Sequence, residues 1–138
     1  IFWNTAWTNK QPPHTLGILC DPAHPALAAF PTEGYSDYQW WDLVSNCNAM
    51  VLDDFPADYR PVVQLVDDWF TNRKLGILLE GKVGNGKLMV CSADLQKDLD
   101  KRPAARQLRQ SILQYMASDR FNPSASLDPA LVKALYQK

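Results

Sequence analysis

Four sets of residues in this chain have types and spacings that bear on chemistry. Gly81, Gly86 and Lys87 fit Gly-x4-Gly-Lys, the opening of a phosphate-binding loop. Such a loop continues with Ser or Thr to hold Mg²⁺, then a helix whose N-terminus faces the phosphates. Here Leu88 follows, and Met89, Val90 and Cys91 read as strand. The same residues flank Asn85-Gly86, a pair suited to a type I′ turn because both central positions need positive φ. A β-hairpin is therefore expected, with strands over Gly76–Val83 and Lys87–Ser92.

The second set is Cys20 and His24, with Asp21 between them. A Cys and a His can act as nucleophile and base, but this order follows no hydrolase signature; a core Cys and a helix-start His are expected. The third set is the carboxylates. Hydrolysis of a glycosidic bond needs two of them across a cleft. Asp53, Asp54, Glu33 and Glu80 are candidates. Asp53 and Asp54 follow a short apolar run, where solvated loop caps are expected, and spacing places no second group.

The fourth set is aromatic. Tyr38, Gln39, Trp40, Trp41 and Asp42 are consecutive, and Trp3, Trp7 and Trp69 complete the five tryptophans. Sugars stack their C–H faces on such rings while Asp, Asn and Gln take the hydroxyls. Tyr38, Trp40, Trp41 and Asp42 thus form a candidate carbohydrate platform, with Asp53 and Asp54 as further candidates. The same rings can instead fill a core or an interface to a neighbouring domain. Adjacent helical residues point about 100° apart, so one of Trp40 and Trp41 is expected inside and the other near the surface. Trp69 lies in an apolar stripe and is expected in the core.

Elements must position these groups. Ile1–Trp7 reads as a strand, Leu16–Cys20 as a buried parallel strand, Ala26–Phe30 as a short helix and Tyr38–Ser45 as a helix. Ala49–Leu52 reads as a third strand. After Pro61, the residues Val62, Leu65, Val66, Trp69 and Phe70 recur at helical spacing and predict an amphipathic helix. The hairpin follows. Ala105, Leu108, Ile112, Tyr115 and Met116 form another stripe behind Pro103, and Asp128-Pro129 caps a last helix, Ala130–Gln137. This order predicts an α/β fold: a three-layer, mostly parallel sheet with a C-terminal β-hairpin, flavodoxin-like in outline. Asp21, Asp53 and Asp54 would then collect beyond the carboxyl ends of the strands, where ligands sit in such sheets. Residues 1–121 are read as the α/β domain and 122–138 as a linker and C-terminal helix packed on it.

The bulk numbers narrow the function classes. The chain has 138 residues and a net charge of −1, so no electrostatic footprint favours nucleic acid or an anionic membrane. No apolar stretch approaches the ~20 residues of a membrane helix. Cys20, Cys47 and Cys91 match no zinc spacing and are odd in number; no metal or cofactor is expected, and a Cys20–Cys47 disulfide is the one pairing considered. The start Ile1-Phe2-Trp3, without Met, suggests a piece of a longer protein.

FWNTAWT at Phe2–Thr8, HPALAAFPTEGYSDYQWWDL from His24 to Leu43, GKVGNGKLMVCSADL from Gly81 to Leu95 and RPAARQLRQSILQYM from Arg102 to Met116 together resemble the C-terminal region of exported bacterial glycoside hydrolases of the family 2, β-galactosidase-like, sugar-binding type. The resemblance implies a non-catalytic accessory domain. Its partners would be a preceding catalytic barrel, an oligosaccharide, or a further copy of the chain, in the periplasm or outside the cell. It also implies a class I glutamine amidotransferase-like fold. That fold's active forms carry a Cys between glycines, and no Gly-x-Cys-x-Gly occurs here. An inert copy is therefore implied rather than a cysteine hydrolase.

Overall fold

The computed structural model describes residues 15, 17–68 and 70–136. The expected strand Ile1–Trp7, with Trp3 and Trp7, lies outside the described residues, as do Leu16, Trp69 and Gln137. The strands are β1 (Gly17–Cys20), β2 (Met50–Val51), β3 (Val63–Val66), β4 (Lys74–Val83) and β5 (Gly86–Cys91). The helices are α1 (Trp40–Ser45), α2 (Pro103–Met116) and α3 (Pro129–Ala134), with a 3₁₀ turn at Pro25–Leu27.

The five strands form one sheet in the order β1-β3-β4-β2, with β5 also paired to β4. Every strand pair is antiparallel. This overturns the expected three-layer, mostly parallel, flavodoxin-like and amidotransferase-like arrangement. The decisive segment is the one after Pro61. It is the strand β3, with alternating burial, and not a helix. Val62, Leu65 and Val66 satisfy a helical stripe, but β-branched Val62, Val63 and Val66 also suit a pleated strand. With that helix gone, no crossover joins parallel strands. β1 and β2 run oppositely, because three antiparallel steps separate them. Asp21 and Asp53 therefore leave opposite ends of the sheet and do not collect at one edge.

β3 returns into β4 through a loop clasped by Asp67. Its buried carboxylate accepts from the Arg73 backbone N–H (2.8 Å) and from Arg73 Nε (2.9 Å) and Nη2 (3.2 Å). Asp68 Oδ1 caps the same loop from the N–H groups of Phe70 and Thr71.

β4 is the central strand. β3 pairs with its first half, β2 and β5 share its other edge, and Ser126 bridges Lys82 in parallel. Gln64 sits opposite Gly76 and Val63 opposite Leu78, so Ile77 is an extra residue, a bulge that shifts the in-out alternation. As a result Leu75, Ile77 and Leu78 all join the larger core with α1, α2 and the 3₁₀ turn, while Leu79 joins a smaller core with Val90 and Leu127, against which Leu131 of α3 and Leu135 just beyond it pack.

The β4–β5 hairpin stands where the sequence expects it, but its two turn residues are Gly84-Asn85, because Val83 pairs with Gly86. Gly84 carries positive φ (+57°) and Asn85 does not, which replaces the expected type I′ turn at Asn85-Gly86 by one with glycine in the first central position. The strand faces fix this register: Leu79 and Val90 lie opposite each other in the smaller core, and a one-residue slip would turn one of them to the other face. Gly81 lets residues 125–127 cross close by; a Cβ there would stand 2.4 Å from Leu127 Cγ.

α2 buries Ala105, Leu108, Ile112 and Tyr115 as expected. Met116, expected in that stripe, is exposed. Ser111 is buried instead; its hydroxyl donates to Ala26 O (2.7 Å) and accepts from Ala29 N–H (3.0 Å), tying α2 to the 3₁₀ turn.

Candidate functional site

The aromatic run divides at α1. Trp40 is wholly buried, edge-on to Phe30 with centroids 5.1 Å apart, and its Nε1 donates to Thr32 Oγ1 at 2.7 Å. It is a core residue and leaves the candidate platform. Trp41, one helical step on, is 45% exposed, and Tyr38, just before the helix, is 93% exposed. The two rings line one hollow of about 570 Å³ between α1 and the start of α2.

Asp42 and Arg102 form its polar wall. Arg102 Nε donates to both carboxylate oxygens of Asp42 at 3.0 Å, and Asn46 Nδ2 donates to Asp42 Oδ1 at 3.1 Å. The Asp42 carboxylate holds the Arg102 guanidinium still more firmly protonated. Arg102 also donates from Nη1 to Lys97 O (3.2 Å) and reaches Asp94 at 3.8 Å. Gln39 and Gln107 complete the wall; their amide nitrogens donate to the carbonyls of Pro31 and Ala29. A hollow with two exposed rings and a fixed ion pair suits a ligand with an apolar face and hydroxyl edges. Arg102 and Gln107 were not read as site residues from the sequence. Arg102 stands 60 residues from Asp42, and its only local signal is that it precedes a helix-starting proline.

The structure disperses the other candidates. Asp53 Oδ1 accepts from the Lys74 backbone N–H at 2.6 Å, as a loop cap does. Asp54 lines a separate cavity beside α3. Neither reaches the Tyr38–Trp41 hollow. Glu33 is exposed. Glu80 is enclosed: Tyr115 donates to its Oε2 at 2.8 Å, and His24 Nε2 stands 3.6 Å from Oε1. Burial, then the bond to Glu80, pushes the Tyr115 phenol up to about 12.

Cys20 and His24 do not form a pair. The Cys20 thiol donates to Glu33 O at 3.3 Å, whereas His24 Nδ1 accepts from Ala26 N–H and its other nitrogen faces Glu80. Burial, reinforced by Asp37 and Asp21, pushes the Cys20 thiol up to about 11, which leaves little thiolate at neutral pH. Cys20, Cys47 and Cys91 are all free, so the Cys20–Cys47 disulfide does not form. Lys87 of the phosphate-loop motif donates to Phe121 O at 2.6 Å, and its loop is the hairpin turn. Among the described residues, no group of His, Cys, Asp and Glu could hold a metal ion, and no helix is long and apolar enough to cross a membrane.

A family model described as a domain of unknown function, DUF8487, matches residues 1–137, so the chain belongs to that family. Among curated proteins, none matches it.

Proposed function

We propose that the domain is a non-catalytic carbohydrate-binding module that accompanies a glycoside hydrolase acting on β-linked sugars. The observation that carries the reading is the juxtaposition of Tyr38 and Trp41 in one hollow with the Asp42–Arg102 pair. The rings offer faces for the C–H side of a pyranose. The carboxylate, the guanidinium and the Gln39 and Gln107 amides offer partners for hydroxyls. Among the residues lining the hollow, Asp42 is the one carboxylate, and Arg102 engages it. The two opposed carboxylates of glycoside hydrolysis are not assembled here, which supports binding without turnover. The accessory placement follows from the resemblance of Phe2–Thr8, His24–Leu43, Gly81–Leu95 and Arg102–Met116 to family 2-type glycoside hydrolases.

Tryptophan fluorescence during titration with methyl β-galactoside and β-linked disaccharides tests the reading. A saturable shift is expected, lost in Trp41→Ala. No shift up to about 10 mM sugar, where even a weak Kd registers, would remove it.

A further inference from the structure

We infer that the groove extends beyond the aromatic hollow into a second subsite at the far end of α1, so that its ligand is an uncharged oligosaccharide rather than a single sugar. This rests on the carbohydrate reading of the first hollow.

A second hollow of about 460 Å³ lies past the Asp42–Arg102 pair, lined by Asn46, Asn48, Ser92, Asp94 and Gln96. Contacts of Asp42 and Arg102 join the two walls. Asp42 belongs to the first hollow and is bonded to Asn46 of the second; Arg102 belongs to the first and contacts Asp94 and Lys97 of the second. From Trp41 to Asn46 the helix rises roughly 8 Å at 1.5 Å per residue, further than one pyranose ring reaches. The two ends differ in chemistry. The first has aromatic faces; the second has amides and a hydroxyl, which pair with sugar hydroxyls in both directions.

Buried polar atoms mark the second half of that line. Among the described residues, three have no hydrogen-bond partner: Asp37 Oδ1, Arg102 Nη2 and Ser92 Oγ. Arg102 stands at the divide and Ser92 lines the second hollow, whereas Asp37 lines neither. Buried polar groups are nearly always paired, so the exceptions at Arg102 and Ser92 mark the divide and the second hollow as polar and incompletely paired. The charges on the walls already have opposite charges near them: Arg102 faces Asp42 and Asp94, Lys97 of the second hollow acts on Asp94, and Lys101 reaches Asp98 outside the groove. Hydroxyl pairing, not net charge, is what remains to be satisfied.

The test is calorimetric titration of the domain with methyl β-galactoside and with β-1,4-galacto-oligosaccharides of increasing length. Affinity is expected to rise about tenfold when the second subsite fills, the equivalent of one or two hydrogen bonds. In the Asn48→Ala/Gln96→Ala double variant, which changes two exposed side chains, that gain with length should disappear. Equal affinity for one sugar and for three, in a protein whose binding still depends on Trp41, would overturn the second subsite and leave the aromatic hollow standing. A gain with length that survives the double variant would overturn it as well. Binding of no sugar at all would overturn both readings together.

Discussion

The Asp67–Arg73 clasp makes a prediction that can be followed through pH. Asp67 has 4% of its side chain exposed, and its partner Arg73 has 42%. The hydrogen bond from Arg73, ahead of the backbone bonds, lowers the Asp67 carboxyl from 3.8 to about 2. A folded-state value below the unfolded one means stability that is complete above the unfolded value and lost as pH falls through the folded one. At about 1.36 kcal/mol for each decade of acidity, the difference between 3.8 and about 2 amounts to about 2 kcal/mol. Asp67→Asn keeps an acceptor for the Arg73 N–H but no charge for the guanidinium. At pH 7 the variant is expected to be less stable by about 2 kcal/mol, or about 6 °C in Tm for a domain of this size. Urea unfolding of both proteins from pH 7 down to pH 2 measures it. The gap between them should begin to close near pH 5 and be mostly gone at pH 2. A gap that stays constant to pH 2 would mean that the substitution acts through packing, and the ionic account of this loop would be refuted.

Further outcomes follow from other sites. Trp40→Ala should cost about 3–5 kcal/mol, as removing a large buried ring does, while Trp41→Ala should cost clearly less, about 1 kcal/mol; equal losses would contradict the division of the two rings. Gly81→Ala should destabilise by about 1–3 kcal/mol through overpacking against Leu127, and adding Leu127→Ala should recover part of that loss in the same unfolding assay, since the two sites share one contact. The three thiols are each pushed up to about 11, chiefly by burial, so alkylation by iodoacetamide at pH 8 should run well below the rate of a free cysteine; one fast-reacting thiol would show a different packing at that position.

Much of this fold is legible where one local rule has no rival. The β4–β5 hairpin is signalled by two apolar runs around a Gly-Asn-Gly tip, and only the choice of central pair is off by a residue, because the strand faces on either side decide it. The α2 stripe is legible because Ala105, Leu108, Ile112 and Tyr115 return every turn. Trp40 and Trp41 separate by helix geometry alone. The sheet's direction was not legible. Val62, Leu65 and Val66 serve a helix and a strand equally well, and one misassigned segment converts antiparallel neighbours into imagined crossovers. The candidate site was half legible. Tyr38, Trp41 and Asp42 are contiguous in the chain, whereas Arg102 and the second hollow's Ser92 and Gln96 reach α1 only through tertiary packing that no local pattern encodes.

The parallel bridge at Ser126 has a consequence for how the molecule comes apart. Lys82 N–H donates to Ala125 O and Leu127 N–H donates to Lys82 O, both at 2.8 Å. The far end of the chain thus seals the flank of the middle strand that β3 leaves open. The Lys82 amide proton should accordingly exchange only when that seal lifts or the whole domain melts. A shortened chain lacking the seal would present the unpaired N–H and C=O of Lys82 beside the Tyr59-capped Glu80 carbonyl, an opening at which a second molecule can begin to add a strand.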